Sequence, residues 1–371
     1  DRYSLFCNMA GDQGLYGDDG IMSVVSRHDL ETRVTSLLKG ADISAPIEEI
    51  IPMRAGGNNR TYCVETANAR YAVKHYFQHA GDRRDRLYSE YAFLSYAEHA
   101  EIAAVPRPLA KDSYTGLALY EYIAGEAIQY GEIGQAEIDA AIAFFLALNE
   151  PAVRQEAEKL PPASEAAFSL QEHLSNTERR ISQLQQIEPN DEIDHEGMAF
   201  IQSMARFWSE YRGRVLEEVH RMGWQKDRPL AVDQRCMSPS DFGFHNAIRT
   251  PRREICFIDF EYAGWDDPAK TIADFFLQPA VPVPLEYYDY FESQVLSLFD
   301  QPELLKQRTR LLRTAYQIKW CCIALNVFLP VHMERRKFAN PQLDSKALKT
   351  DQLLKAQTLF QTIKDFSYGL H

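Results

Sequence analysis

The chain has 371 residues, of which 45% are hydrophobic and 25% are charged, as in an ordinary soluble globular protein. Acidic residues outnumber basic ones by 53 to 40, and the resulting formal charge of −13 disfavours general binding to nucleic acid, whose phosphates dominate affinity. The length exceeds that of one ordinary core and predicts two domains or one bilobal unit.

Cysteine usage and hydropathy predict a cytoplasmic protein. None of the six cysteines forms a C-x-x-C pair or has a spacing to histidine that suits zinc, so we expect reduced and mostly buried thiols. The first twenty residues lack the basic and apolar regions of a signal peptide. No apolar run approaches the roughly 18–20 residues that a membrane span needs, so no membrane partner is expected.

The first third of the chain predicts a small antiparallel sheet. Residues 1–26 are rich in Gly and Asp, and we expect a mobile tail. Apolar residues at helical spacing predict a helix over 27–39. Strands are then predicted at 47–53, 61–66, 70–76 and 117–123, with a helix at 82–100 and a break at the sequence VPRPLA. Residues 45–125 are therefore read as an antiparallel sheet with one inserted helix.

The rest of the chain predicts mainly helix, which gives an α+β fold class. The expected helices lie at 133–149, 164–187, 198–222, 284–299, 302–328 and 344–366. A polar loop is expected at 188–197, and only the stretch from 236 to 260 resembles strand.

Three polar residues surround that late strand stretch. Asp241 is followed five residues later by Asn246, and Asp259 ends the next predicted strand. Phosphoryl transfer needs a carboxylate to accept or orient a hydroxyl proton and oxygen ligands for a Mg²⁺ ion that bridges the phosphates. The spacing therefore predicts Asp241 as the catalytic base, with Asn246 and Asp259 as metal ligands.

The predicted sheet contains residues that suit a nucleotide. The Gly-rich turn AGGNN between two strands would cover the phosphates, and Lys74 on the following strand would contact them. A Lys in a buried strand needs an anionic partner, because an unpaired buried charge is costly. Glu90 on the next helix could orient the ammonium. The backbone of the strand from Leu117 to Ile123 would then contact an adenine edge as a hinge.

These motifs resemble the aminoglycoside phosphotransferase and choline kinase family over about Ile47 to Pro279. The catalytic-loop Asp and Asn of that family match Asp241 and Asn246, and its second metal-binding Asp matches Asp259 in the sequence IDFE. The resemblance implies a bilobal protein-kinase-like fold, with an N-lobe at 27–125 and a helical C-lobe at 126–371. It implies ATP and Mg²⁺ as cofactors and a small-molecule hydroxyl as acceptor. The expected nucleotide-binding residues are Gly56, Gly57, Asn58, Lys74, Glu90, Glu121, Tyr122 and Ile123.

Two features depart from the family pattern. The family usually has a His two residues before the catalytic Asp, where this chain has Pro239. We expect Ser238 or Ser240 to replace it as a hydrogen-bond anchor, and His245 to be a loop-packing or phosphate-adjacent residue. The helical stretch at about 150–230 is longer than expected and is read as an insertion that could cap the substrate site.

Two alternatives to a kinase remain open at this point. One is a kinase-like pseudoenzyme with a regulatory or scaffold role, and the other is nucleotidyl transfer with ATP bound in the reverse orientation. Four acids follow Asp259, namely Glu261, Asp266, Asp267 and Asp274. They lead to the hypothesis that the acceptor carries an amine or quaternary ammonium. The competing interpretation is that they anchor loops and that the acceptor is neutral.

Overall fold

The N-terminal part of the chain folds into a five-stranded antiparallel sheet in the computed structural model, which describes residues 27–53, 59–78 and 84–366. The strands are β1 Ile47–Pro52, β2 Arg60–Thr66, β3 Arg70–His75, β4 Pro108–Asp112 and β5 Leu117–Glu121. Their order is β1-β2-β3-β5-β4, so β3 is central and β4 lies at an edge. The predicted antiparallel sheet is confirmed, whereas the predicted tail at 1–26 lies outside the described residues.

Two helices cover opposite faces of this sheet. Helix α1 (Arg27–Gly40) confirms the predicted first helix, and its apolar side packs in one cluster with Leu119. Helix α2 (Arg86–His99) packs in another cluster with Tyr120. Adjacent strand residues point to opposite faces, so the alternation along β5 separates the two helices.

Strand β4 replaces a predicted break. The sequence VPRPLA was expected to interrupt the structure, but Pro108 begins a strand that pairs with β5. Because β4 is an edge strand, the missing N–H of Pro108 does not have to join a ladder on both sides.

Helices predominate in the C-terminal part, which also contains short strands. The helices are α3 Gln135–Leu148, α4 Pro151–Arg154, α5 Leu170–Leu184, α6 Glu192–Arg221, α7 Pro268–Leu277, α8 Tyr288–Leu296, α9 Pro302–Leu325, α10 Pro330–Ala339 and α11 Ser345–Phe366. The strands are β6 Glu126–Ala127, β7 Cys236–Ser238, β8 Ala247–Arg249, β9 Ile255–Phe257 and β10 Gly264–Asp266. Strand β8 pairs with both β6 and β9, and β7 pairs with β10.

Helix boundaries account for most of the differences from the sequence prediction. The predicted polar loop at 188–197 is partly wrong, since Asp191 caps α6 through the backbone N–H of Asp194 and the helix begins at Glu192. Helices α7 and α10 were not predicted. Each begins with a proline at its first position, where the missing N–H costs nothing.

The predicted insertion at 150–230 shares a core with the C-terminal helices. Helices α5 and α6 pack with α9 and α11 in one continuous cluster that includes the buried side chains of Trp208, Leu312 and Phe360. This cluster lies apart from the one that surrounds α2 and α3. The insertion is therefore an integral layer of the helical part.

The cysteines that the structure describes are buried, as the sequence predicted. Five free, buried thiols are present in the described ranges: Cys63, Cys236, Cys256, Cys321 and Cys322. Within the same ranges, no helix has both the length and the apolar character needed to cross a bilayer.

Candidate active site

Lys74 lies at the centre of the predicted nucleotide site. It projects from the central strand β3, and its Nζ lies 2.7 and 2.9 Å from the two carboxylate oxygens of Glu90. The same nitrogen lies 2.8 Å from Oδ1 of Asp259. Burial alone would lower the pKa of Lys74, but the two carboxylates outweigh it and raise the pKa, so the ammonium is stable in the folded protein.

Glu90 is held in place by two phenols. The Tyr76 hydroxyl donates to a carboxylate oxygen of Glu90 at 2.7 Å, and the hydroxyls of Tyr76 and Tyr120 are 2.7 Å apart. All three side chains are buried. Tyr76 and Tyr120 were not among the predicted site residues, because a phenol in an apolar strand reads as core.

The predicted catalytic Asp lies in a tight loop between β7 and β8. One carboxylate oxygen of Asp241 lies 3.2 Å from Nε2 of His245. The backbone carbonyl of Asp241 accepts a 3.0 Å hydrogen bond from the side-chain amide of Asn246. Burial opposes the charge, but His245 and Asn246 outweigh it and lower the pKa of Asp241. His245, expected to be a loop-packing or phosphate-adjacent residue, contacts the candidate base directly.

Two phenylalanines fix the backbone on either side of Gly243. The ring centroid of Phe242 lies 5.3 Å from that of Phe257, and Phe244 lies 5.6 Å from Phe275. Both loop rings are fully buried. This packing anchors the loop to β9 and α7 while the polar side chains of Asp241 and Asn246 remain partly accessible.

Asn246 and Asp259 are brought together by the hairpin of β8 and β9. Ala247 pairs with Phe257, and the backbone N–H of Ile258 donates to the carbonyl of Asn246 at 2.9 Å. Asp259 has a φ of +69°, a conformation that costs a non-glycine residue energy and is common at functional sites. The hairpin therefore accounts for the spacing of the two predicted metal ligands.

Ser238 and Ser240 occupy the role expected of them beside Pro239. The hydroxyl of Ser238 accepts from the backbone N–H of Ser240 at 3.0 Å and from the hydroxyl of Thr271 at 2.8 Å. The Nζ of Lys270 donates to the hydroxyl of Ser240 at 3.1 Å. Helix α7 thus holds the loop through side chains where the resembled family usually has a His.

The acids that follow Asp259 are paired with buried cations. The ion pairs are Glu261 with Arg86 at 2.9 Å, Asp266 with Lys270 at 2.5 Å, Asp267 with Arg308 at 2.5 Å, and Asp274 with Lys270 at 3.3 Å and with Lys319 at 3.4 Å. These carboxylates anchor loops and helices, as the competing interpretation held. Their negative charge is matched locally and does not form an open acidic cleft.

The Gly-rich turn is only partly within the described residues. Gly56, Gly57 and Asn58 lie outside them. The next residue, Asn59, is buried, and its amide donates to Glu261 at 2.7 Å while its side-chain oxygen accepts from the backbone of Phe77 at 3.2 Å. Asn59 therefore ties the end of the turn to the loop that follows Asp259, a role that its sequence context did not predict.

The predicted hinge follows directly from β5. Glu121 is the last residue of that strand, and its backbone N–H donates to the carbonyl of Arg107 at 2.9 Å. In the described part of the chain, no backbone hydrogen bond involves Tyr122 or Ile123. The segment ends at Gly125. Only glycine fits at this position, because a Cβ there would lie 2.3 Å from the carbonyl oxygen of Arg249.

Comparisons with solved structures show the same fold at low identity. Choline kinase LicA from Streptococcus pneumoniae is 16% identical, with a TM-score of 0.56, and the match covers 90% of this chain and 99% of that one. Spectinomycin phosphotransferase APH(9)-Ia, solved with ADP and spectinomycin, is 10% identical, with a TM-score of 0.57 and coverage of 89% and 99%. Plasmodium vivax ethanolamine kinase is 15% identical, with a TM-score of 0.57 and coverage of 89% of both chains.

The family itself is identified from sequence. No curated protein matches the chain. The profile of the phosphotransferase enzyme family matches residues 49–290, well over half of the chain, and includes the sheet, the hinge, the loop of Asp241 and the hairpin of Asp259. The expected bilobal protein-kinase-like fold is confirmed by the structural likenesses. The chain belongs to the phosphotransferase enzyme family, as its motifs indicated.

Proposed function

We propose that the protein is an ATP- and Mg²⁺-dependent kinase that phosphorylates a hydroxyl group of a small molecule. The observation that carries the proposal is the convergence of Lys74, Glu90 and Asp259 in one set of contacts at 2.7 to 2.9 Å. An ammonium held between a helix carboxylate and a loop carboxylate is placed to receive phosphate oxygens. This arrangement agrees with the phosphoryl-transfer chemistry of the family.

Asp241 is proposed to orient the acceptor hydroxyl and to take up its proton. Phosphoryl transfer passes through a loose transition state, so the proton moves late and positioning contributes more than basicity. The lowered pKa of Asp241 keeps it ionised near neutral pH. Its contacts to His245 and Asn246 hold the loop conformation in which the carboxylate is presented.

Asn246 and Asp259 are proposed to hold Mg²⁺. The Asn246 amide donates its N–H to the Asp241 backbone, which directs its carbonyl oxygen away from that contact and leaves it available as a neutral ligand. The described residues contain no group of three or more His, Cys, Asp or Glu side chains suited to a metal. Two protein ligands would suffice for Mg²⁺, because water and phosphate would supply its other oxygens, and the ion would neutralise charge on the transferred group.

The acceptor is proposed to be an alcohol that also carries an amine. Support comes from the named substrates of structural relatives, which include a choline kinase and an ethanolamine kinase. The acids that suggested this class from sequence contribute no support, because they are paired with Lys and Arg side chains.

A screen of alcohol-bearing metabolites with Mg-ATP tests the proposal and separates the alternatives. Release of ADP with one acceptor supports the kinase, and release of AMP or pyrophosphate indicates nucleotidyl transfer instead. Nucleotide binding without turnover of any acceptor would favour the pseudoenzyme. The intact set of Asp241, Asn246 and Asp259 is the reason to place the kinase first.

A further inference from the structure

The side chain of His245 turns back along its loop to reach the candidate base. Its Nε2 lies 3.2 Å from Oδ1 of Asp241, four residues earlier in the chain. The next residue, Asn246, donates from its side chain to the backbone carbonyl of Asp241 at 3.0 Å. Two consecutive residues therefore fix Asp241, one through its side chain and the other through its main chain.

Gly243 provides the space in which the imidazole lies. A Cβ built on Gly243 would lie 2.8 Å from Nδ1 and 3.0 Å from Cε1 of His245. The φ of Gly243 is 164°, an extended conformation that other residues also adopt. Glycine is therefore needed at this position for space and not for its backbone conformation.

Gln278 closes the other side of this space. The Cβ built on Gly243 would also lie 3.1 Å from Cγ of Gln278. The Gln278 side chain is buried, and its oxygen accepts hydrogen bonds from the backbone N–H groups of Ala280 and Val281, each at 3.0 Å. Because these bonds hold Gln278 in place, a larger residue at position 243 would have to displace the imidazole.

The second ring nitrogen indicates where the proton of His245 lies. Nδ1 is buried and makes no hydrogen bond with any residue that the structure describes. A proton on Nδ1 would leave that N–H without an acceptor, and Nε2 and the carboxylate would then face each other as two acceptors. A proton on Nε2 instead makes one hydrogen bond to Asp241. The neutral imidazole is therefore expected to donate from Nε2.

We propose that His245 is a positioning residue for phosphoryl transfer, which donates to Oδ1 of Asp241 and thereby directs Oδ2 at the acceptor hydroxyl. The inference rests on the proposed kinase function. A carboxylate turns readily about its last side-chain bond, and a hydrogen bond to one oxygen fixes its plane. The Asp241 side chain is 32% exposed, so a small molecule can reach it. Orientation contributes most when the transition state is loose, as in phosphoryl transfer.

Two substitutions remove this contact in different ways. His245→Leu removes the donor, whereas Gly243→Ala keeps the imidazole but fills the space in which it lies. Each should lower kcat about tenfold, the scale of one hydrogen bond to a charged group, and should leave the KM for Mg-ATP within about twofold of the wild-type value. Initial rates of ADP release with the acceptor found by the metabolite screen measure both constants.

A conservative variant and a double variant distinguish positioning from support of the fold. The side-chain amide of His245→Gln can donate to Asp241, so this variant should recover most of the rate lost in His245→Leu. Asp241→Asn combined with His245→Leu should be about as slow as Asp241→Asn alone, because both changes remove the same interaction. His220→Leu, which replaces an exposed histidine of α6, is the control and should match the wild type.

Nitrogen-15 NMR of the histidine rings tests the contact without any turnover. The spectrum of His245, assigned by its absence from His245→Gln, should show a protonated Nε2 and a bare Nδ1. Asp241→Asn should shift the Nε2 signal, because the carboxylate that accepts its hydrogen bond is lost. Thermal unfolding of each variant checks that the fold is kept.

Three results would overturn the proposal. They are a ring that carries its proton on Nδ1, an unchanged kcat in His245→Leu or Gly243→Ala, and losses that add fully to that of Asp241→Asn. Failure of the wild type to release ADP with any acceptor would instead contradict the kinase function. The ring spectrum would still report whether His245 donates to Asp241, so the two failures are distinguishable.

Discussion

Lys74 and Asp259, which are 185 residues apart in sequence, are joined by a 2.8 Å contact between Nζ and Oδ1. The contact connects the central strand of the sheet to the loop that follows β9. A single ammonium therefore aligns the part of the protein that would hold phosphates with the part that would hold the metal.

Replacing Lys74 should separate phosphate binding from base binding. Lys74→Ala should weaken ATP far more than adenosine, because the contact proposed for Lys74 is to phosphate oxygens and adenosine has none. Calorimetry with both ligands measures the difference, and Lys111→Ala, an exposed lysine of the same sheet, serves as control. Equal losses for the two ligands would indicate a folding defect of the sheet.

Replacing Asp241 should affect turnover and spare binding. Asp241→Asn keeps the shape of the side chain but removes the carboxylate that is proposed to take up the proton. We expect kcat to fall by about 10²-fold or more, the usual scale for a positioned base, with ATP affinity nearly unchanged. Steady-state kinetics with the identified acceptor decide the matter, and wild-type turnover in the variant would show that another group is the base.

Replacing Asp259 should abolish the dependence of nucleotide affinity on Mg²⁺. Wild-type protein should bind ATP more tightly with Mg²⁺ than without it, since Asp259 would hold the ion that neutralises phosphate charge. Asp259→Ala should bind ATP equally well with and without Mg²⁺. The control variant Asp233→Ala, which replaces an exposed aspartate, should behave like the wild type. A variant that kept the full Mg²⁺ effect would exclude Asp259 as a ligand.

The anchor at Ser238 should matter for turnover more than for nucleotide affinity. Ser238→Ala removes the acceptor for the Ser240 N–H and the Thr271 hydroxyl, and these buried donors are left without it. We expect a loss of stability of about 1–3 kcal/mol and a lower kcat, because the loop of Asp241 loosens. Urea unfolding and kinetics check both effects, and unchanged kcat would show that packing alone holds the loop.

The ion pair of Glu165 and Arg180, whose Oε2 and Nη2 atoms are 2.6 Å apart, should make a pH-dependent contribution to the free energy of unfolding. Burial disfavours the carboxylate, but Arg180, together with Lys319 and Lys270, outweighs it and lowers the pKa of Glu165 from 4.5 to about 2. A group whose pKa is lower in the folded state than in the unfolded state stabilises the protein at any pH above its unfolded-state pKa. This contribution is lost as the pH falls through the folded-state pKa.

Unfolding free energies measured over this pH range test the pair. Glu165→Gln should be less stable than the wild type by on the order of 3 kcal/mol at neutral pH, and the gap should close between about pH 4.5 and 2. Glu158→Gln, at an exposed position, is the control. A gap that stayed constant with pH would show that the glutamine packs poorly for reasons other than charge.

The predictable parts of the site are those whose residues lie close together in the sequence. Asp241, Asn246 and Asp259 lie within one hairpin and its flanking loop, so their separation in sequence nearly determines their separation in space. The contact of Lys74 with Glu90 followed from a strand and the next helix. Partners far apart in the chain carry no such signal, as with Asn59, whose amide reaches Glu261 across 202 residues.

The charges of the C-terminal part were harder to interpret for a related reason. A carboxylate in a sequence looks the same whether it faces an open cleft or a buried cation. Asp274 reaches Lys319, 45 residues away, and Trp320 beside it, and only the packing of α7 against α9 brings these groups together. A run of acids therefore predicts the charge of a cleft only when the neighbouring helices are known.

The labelling rate of a buried thiol can measure how often the candidate site opens. Cys256 lies in β9, between the two proposed metal ligands, and burial raises its pKa to about 12. Alkylating reagents attack the thiolate, so the folded protein should resist them until this hairpin opens. The rate at which Cys256 becomes labelled, read by mass spectrometry, would then report how often the site opens. A ligand that slows the labelling would reveal itself before its reaction is known.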